Sequence, residues 1–227
     1  MTYQDSLKPA NLKTMLTLQD ELNRVIDPNW VSAKQPFLRA AFVEAAEALD
    51  HHGWKWWKNQ SPDVYQLQIE LIDILHFYLS DALVESNANL DLSIKKISTE
   101  LQITNIIFDE VEYKLGKLDI LQLLELLGAM AACRRRSFAV LDQLMKRCSL
   151  RWHDVFLHYV SKNILNLFRQ ANGYRDGSYI KIWDGEEDNV WLERIVKNIS
   201  PEEPDYPTRL RQKLTEKYLK IKSGSSS

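Results

Sequence analysis

Apolar residues recur every three to four positions along most of the chain. In "YQLQIELIDILHFYLSDALVE" the set Leu67, Leu71, Ile74, Leu75, Tyr78, Leu79 and Ala82 keeps that rhythm, and "LDILQLLELLGAMAACRRR" and "HDVFLHYVSKNILNLFRQ" repeat it. The period places apolar side chains on one face of a helix. It predicts helices over 9–26, 36–53, 62–86, 91–114, 117–135, 137–147 and 151–172, with weaker ones near 188–198 and 205–221. Between Pro62 and Gly173 there is no proline, and the only glycines are Gly116 and Gly128. A sheet would need many more turn residues than that. Pro36 and Pro62 stand near helix starts, where a missing N–H is harmless. Ser61 reads as an N-cap and Asp63 as an acidic first-turn residue. Asn172-Gly173 ends the seventh helix in a left-handed cap. The following "GYRDGSYIKIWDGEEDN" reads as an ordered polar loop, the kind of segment that carries binding residues. The expectation is an all-α, multi-helix bundle: one domain over 1–222, with 223–227 as a flexible tail.

Composition narrows the class. The 227 residues are 45% hydrophobic and 26% charged, with a formal charge of −2. That balance gives no support for a nucleic-acid coat or a basic membrane-surface protein. No run of 18 apolar residues exists, so nothing is expected to span a membrane. "MTYQDSLKP" lacks the apolar region of a secretory signal. Cys133 and Cys148 fit no metal spacing and read as reduced core thiols of a cytoplasmic protein.

The chemistry concentrates in two carboxylate pairs. Glu44 and Glu47 lie three apart in "AFVEAAEAL"; Glu70 and Asp73 repeat the spacing in "QIELIDILHF". Residues three apart project about 60° from one another on a helix, so each pair shares a face. Both pairs sit among apolar residues, where like charges need neutralising. Hard cations do this, and all-oxygen ligation suits Mg²⁺ or Mn²⁺. Four carboxylates suggest more than one ion and a phosphate-bearing substrate. Two other readings stand beside this one. The acids could be solvated helix-surface groups. Alternatively Asp73 and His76, spaced i,i+3, could belong to a di-iron bundle, although the unit appears only once and imperfectly.

After the first pair come Trp54, Lys55, Trp56, Trp57 and Lys58. They could simply be aromatic packing at a helix end, or a ring could stack on a nucleobase while Lys58 meets a phosphate. Further on, Lys162, Asn166 and Arg169 share one helix face, with Tyr174 and Lys181 in the loop beyond. That set reads either as a solvated basic face or as an anion clamp for the phosphates.

Four blocks carry a family resemblance: "LQDELN" at 18–23, "EAAEALDHHGWKWWK" at 44–58, "QIELIDILHF" at 68–77 and "NLFRQANGYRDGSYIKIWDGEEDN" at 166–189. They resemble the dimeric, all-α dUTP pyrophosphatases (dUTPases) within the all-α NTP pyrophosphatase superfamily; the stretch 86–160 matches only as helices. The resemblance implies a homodimer of that fold type, hydrolysing dUTP to dUMP and pyrophosphate with a metal-activated water. It implies that Glu44, Glu47, Glu70 and Asp73 hold Mg²⁺. Gln19, Asn23, Trp57 and Asn189 would surround uracil, and Phe77 would pack on the deoxyribose. Lys162, Asn166, Arg169, Tyr174 and Lys181 would grip the phosphates. Alternatives left open are a pyrophosphatase for dCTP or a wider dNTP range, the di-iron bundle, and a helical interaction protein without activity.

Overall fold

The computed structural model describes residues 6–199 and 205–224. Ten helices carry the fold among the described residues: α1 (Pro9–Ile26), α2 (Trp30–Ala33), α3 (Phe37–His52), α4 (Val64–Glu85), α5 (Leu90–Glu100), α6 (Ile120–Ala132), α7 (Phe138–Arg147), α8 (Trp152–Ala171), α9 (Asp188–Val196) and α10 (Tyr206–Gly224). A hairpin, β1 (Asn105–Phe108) with β2 (Val111–Lys114), follows α5, and a two-residue pair, β3 (Ile182–Trp183) with β4 (Glu186–Glu187), precedes α9.

Helix α4 is the central element. All seven apolar positions read from its sequence rhythm are buried. Burial of each of the leucine and isoleucine side chains among them contributes roughly 1.5–3 kcal/mol of transfer free energy. Its other faces are covered too, since Glu70, His76 and Ser80 are buried. A helix enclosed on most sides brings polar groups into the interior, where they need partners. Helix α3 runs along α4 and also packs on α6, while α1 lies against α8 and α4. Helix α8 belongs to two apolar clusters. Its first half gives Trp152, Val155 and Tyr159 to the main core. Its second half gives Val160, Ile164, Leu165 and Phe168 to a cluster with Tyr179, Trp183 and the α10 residues Leu210, Leu214 and Tyr218.

Several sequence expectations change. The stretch 91–114 is not one helix: α5 stops at Glu100 and an antiparallel hairpin occupies 105–114. Its turn is made by Asp109 and Glu110, with φ of +49° and +62°. A two-residue turn with both φ positive matches the twist of the strands but is normally marked by Asn-Gly or Asp-Gly. With glycine absent, the sequence carried no turn signal. Helix α4 is capped by Asp63, whose side chain accepts from the Gln66 amide, not by Ser61. Cys148 is buried as expected, but Cys133 is exposed. Helix α10 runs through Gly224, and 225–227 lie outside the described residues. Gly173 does adopt the left-handed conformation after α8, with φ +92°; a Cβ there would come within 1.9 Å of Ser178 Oγ. Among the described residues no helix is long and apolar enough to cross a membrane.

Candidate active site

The packing of α3 along α4 brings Glu44, Glu47 and Glu70 to one point. One carboxylate oxygen from each lies within 4.8 Å of the other two. Glu70 is buried, Glu44 half-buried and Glu47 exposed, so the cluster opens to solvent on the Glu47 side. Glu44 and Glu70 are the members withdrawn from water. Burial, then the charge of Asp73, pushes Glu44 up to about 8. Burial also raises Glu70, to about 7. A hydrogen bond between the two raises Glu44 and lowers Glu70, as when Glu44 keeps a proton and donates it to the Glu70 carboxylate. His51 stands beside them, with Nε2 at 3.5 Å from Glu70 Oε1.

These residues fit a divalent cation. The three glutamates offer only hard oxygen donors and converge at ligand spacing, and burial among like charges disfavours ionisation of Glu44 and Glu70, which a cation would reverse. Asp73 lies outside the three-oxygen cluster. Its Oδ2 accepts from Lys162 Nζ at 3.0 Å, across 89 residues of sequence. The fourth predicted ligand and a predicted phosphate cation are therefore each other's partner. His76, the nitrogen donor a di-iron site would need, is not in the cluster either. It is buried, stacked on Tyr159 at 4.1 Å, and bonded through Nδ1 to Gln19 Oε1 at 2.8 Å.

Gln19 and Asn23 form a buried polar chain with that histidine. Gln19 Oε1 also accepts from the Tyr159 hydroxyl at 2.5 Å, and Gln19 Nε2 donates to Asn23 Oδ1 at 3.0 Å. Asn23 Nδ2 donates to Ser80 Oγ at 3.0 Å. Both amides are thus fixed in orientation by groups the sequence did not single out, Tyr159 and Ser80. Phe77 is half-buried against the main core.

On α8, Arg169 is buried at the centre of another polar group. Its Nε and Nη2 donate to Asp188 Oδ2 and Oδ1 at 2.8 and 2.7 Å. Nη1 donates to Asn166 Oδ1 at 3.1 Å, and Nη2 also reaches Asn189 Oδ1 at 3.2 Å. Tyr174 lies under the guanidinium, 5.9 Å from ring centroid to Cζ. Lys181 is exposed and paired with Glu187 at 3.1 Å. Trp57 and Lys58 sit apart on the exposed turn after α3, where Trp57 meets Trp54 and Trp56 edge-on at 5.4 and 5.3 Å. A cavity of about 310 Å³ between α4, α8 and α9 joins several of these residues, its wall including Asp73, Lys162 and Asn189. Sequence reasoning missed His51 and Asp188. Asp188 was adjacent to a chosen residue, but a lone acid in an acidic loop gave no reason to choose it.

Facing helices that gather carboxylates beside a basic helix face suit one class, the helical hydrolases of phosphate anhydrides. The particular family follows from comparison: residues 11–174 match the dUTPase family model, and the chain belongs to the all-α dUTPase family. It is accordingly a dUTP diphosphatase. The match contains both carboxylate pairs and ends before Lys181, Asp188 and Asn189. No curated protein matches the sequence.

Proposed function

We propose that the protein hydrolyses dUTP to dUMP and pyrophosphate in a Mg²⁺-dependent reaction, with Mn²⁺ as a substitute. The convergence of Glu44, Glu47 and Glu70 carries this reading. Bound cations, more than one per site, would supply Lewis-acid polarisation of phosphate oxygens and a water of lowered pKa. Glu44, Glu47 and Glu70 would hold them together with Asp73, whose present partner is Lys162. Lys162 would then serve as a point charge for the phosphates. A carboxylate oxygen of the cluster would accept the proton of the attacking water.

Asn166 and Arg169, with Tyr174 and Lys181, would neutralise the departing phosphates. Arg169 has five N–H donors, and four serve Asp188, Asn166 and Asn189, so one remains for phosphate. Gln19, Asn23 and Asn189 would read uracil, with Phe77 at the sugar and Trp57 closing over the base. Lys58, on the same exposed turn, would reach a phosphate. The chain would act as a homodimer, in which exposed Phe42 and Val43 on α3 are apolar side chains a partner would cover. The two cores shared through α8 support a single unit over 1–222. The enzyme would act in the cytoplasm, limiting dUTP and supplying dUMP for thymidylate synthesis. A panel of dNTPs and dNDPs with Mg²⁺, with products identified, tests the reading. Turnover concentrated on dUTP is expected. Comparable turnover of dCTP or TTP would move the assignment to a broader pyrophosphatase.

A further inference from the structure

The orientation of the Asn189 amide is set from behind. A guanidinium donates and cannot accept. The Asn189 atom facing Arg169 Nη2 is therefore Oδ1, at 3.2 Å. The amide is planar, so Nδ2 lies on the opposite edge. Turning the amide over would set donor against donor. Asn189 lines the cavity of about 310 Å³ that also holds Asp73 and Lys162. Arg169 is itself immobilised by Asp188, which is 0% exposed and takes two N–H bonds from it. The Tyr179 hydroxyl fixes Asp188 in turn at 2.8 Å. Asp188 touches none of the four carboxylates assigned to metal, and no part of the reading above assigns it a role.

We propose that Asp188 is a positioning residue for base selection: by clamping Arg169 it locks Asn189 as an N–H donor towards the substrate cavity. A fixed donor suits the C4 carbonyl of uracil and opposes the 4-amino group of cytosine. A free asparagine could turn over and serve either base. The inference rests on the dUTP reading above and deepens it.

The test compares kcat/KM for dUTP and dCTP in the full chain. Asp188→Asn keeps the size of the side chain but removes its charge and one of its two acceptor oxygens. The dUTP-to-dCTP ratio is expected to fall about tenfold or more, within the range that hydrogen-bond matching to a substrate commands. A merely structural defect lowers both substrates alike; an unchanged ratio overturns the proposal. Asn189→Asp replaces the donor edge with an acceptor, and the ratio must fall there too. If it falls for Asn189→Asp alone, the clamp is overturned and Asn189 keeps its role. If it falls for neither, the base is read elsewhere. A wild-type enzyme that turns over no dUTP instead removes the underlying function. Should Asp188→Asn lack a cooperative melt, Tyr179→Phe removes one bond to Asp188 and must lower the ratio in the same direction. An unchanged ratio in that variant overturns the proposal as well.

Discussion

Glu44→Gln should make the metal-free protein more stable, and increasingly so as pH rises. Burial, then the charges of Asp73 and Glu70, carries the Glu44 carboxyl from 4.5 to about 8. Between those values the folded chain holds a proton that the unfolded chain releases, so stability falls as pH rises. The interval is 8 − 4.5, or 3.5 pH units, which is about 5 kcal/mol at 1.36 kcal/mol per unit. Glu44 is only half-buried, and solvent screening reduces that to about 2 kcal/mol. Glutamine cannot ionise and escapes the loss. Variant and wild type should melt together near the unfolded value of 4.5 and diverge above it. The gap at about pH 8.5 should be roughly 4–8 °C, taking about 2–4 °C per kcal/mol for a chain of this size. Thermal melts in chelator at about pH 5 and about pH 8.5 make the comparison. Taking the difference between proteins cancels the titrating groups remote from Glu44; Glu70, hydrogen-bonded to it, is the neighbour whose titration changes with it. A gap that does not widen with pH, or a variant less stable at high pH, refutes the reasoning.

Three further outcomes follow from the same structure. Glu47→Gln, at the open side of the cluster, should fold normally and lose about 10²-fold in kcat, the scale of one electrostatic stabiliser; full turnover at saturating Mg²⁺ removes Glu47 from the site. Trp57→Ala should weaken kcat/KM for dUTP by about 1–3 kcal/mol, one base–aromatic stack, and an unchanged value leaves the ring as exposed packing. Replacing Asp109-Glu110 by Asn-Gly should raise the melting temperature by about 2–4 °C, since relieving positive φ at a non-glycine residue gains about 1 kcal/mol; a lower melting temperature means that the two side chains hold the hairpin.

The helices were legible because α4, α6 and α8 repeat apolar residues at helical spacing and lack proline. The hairpin was not, because Asp109 and Glu110 adopt positive φ without the glycine that signals such a turn. The carboxylate cluster was half legible. Spacing put Glu44 with Glu47 and Glu70 with Asp73, but only the packing of α3 on α4 joins Glu70 to the first pair. The pairing of Asp73 with Lys162 depends on α8 crossing α4, which no local pattern encodes. Arg169 was visible as a basic residue on a helix face. Its burial and its bond to Asp188 come from α9 folding back over α8.

The central claim is that the carboxylate cluster drives a cation-dependent cleavage of dUTP into dUMP and pyrophosphate. Phosphorus NMR of a dUTP reaction tests it directly, run with Mg²⁺, then with chelator, then with Mg²⁺ restored. The account predicts equimolar dUMP and pyrophosphate, arrest by the chelator, and recovery on restoring the ion. Formation of dUDP and inorganic phosphate, or turnover undiminished in chelator, would contradict it.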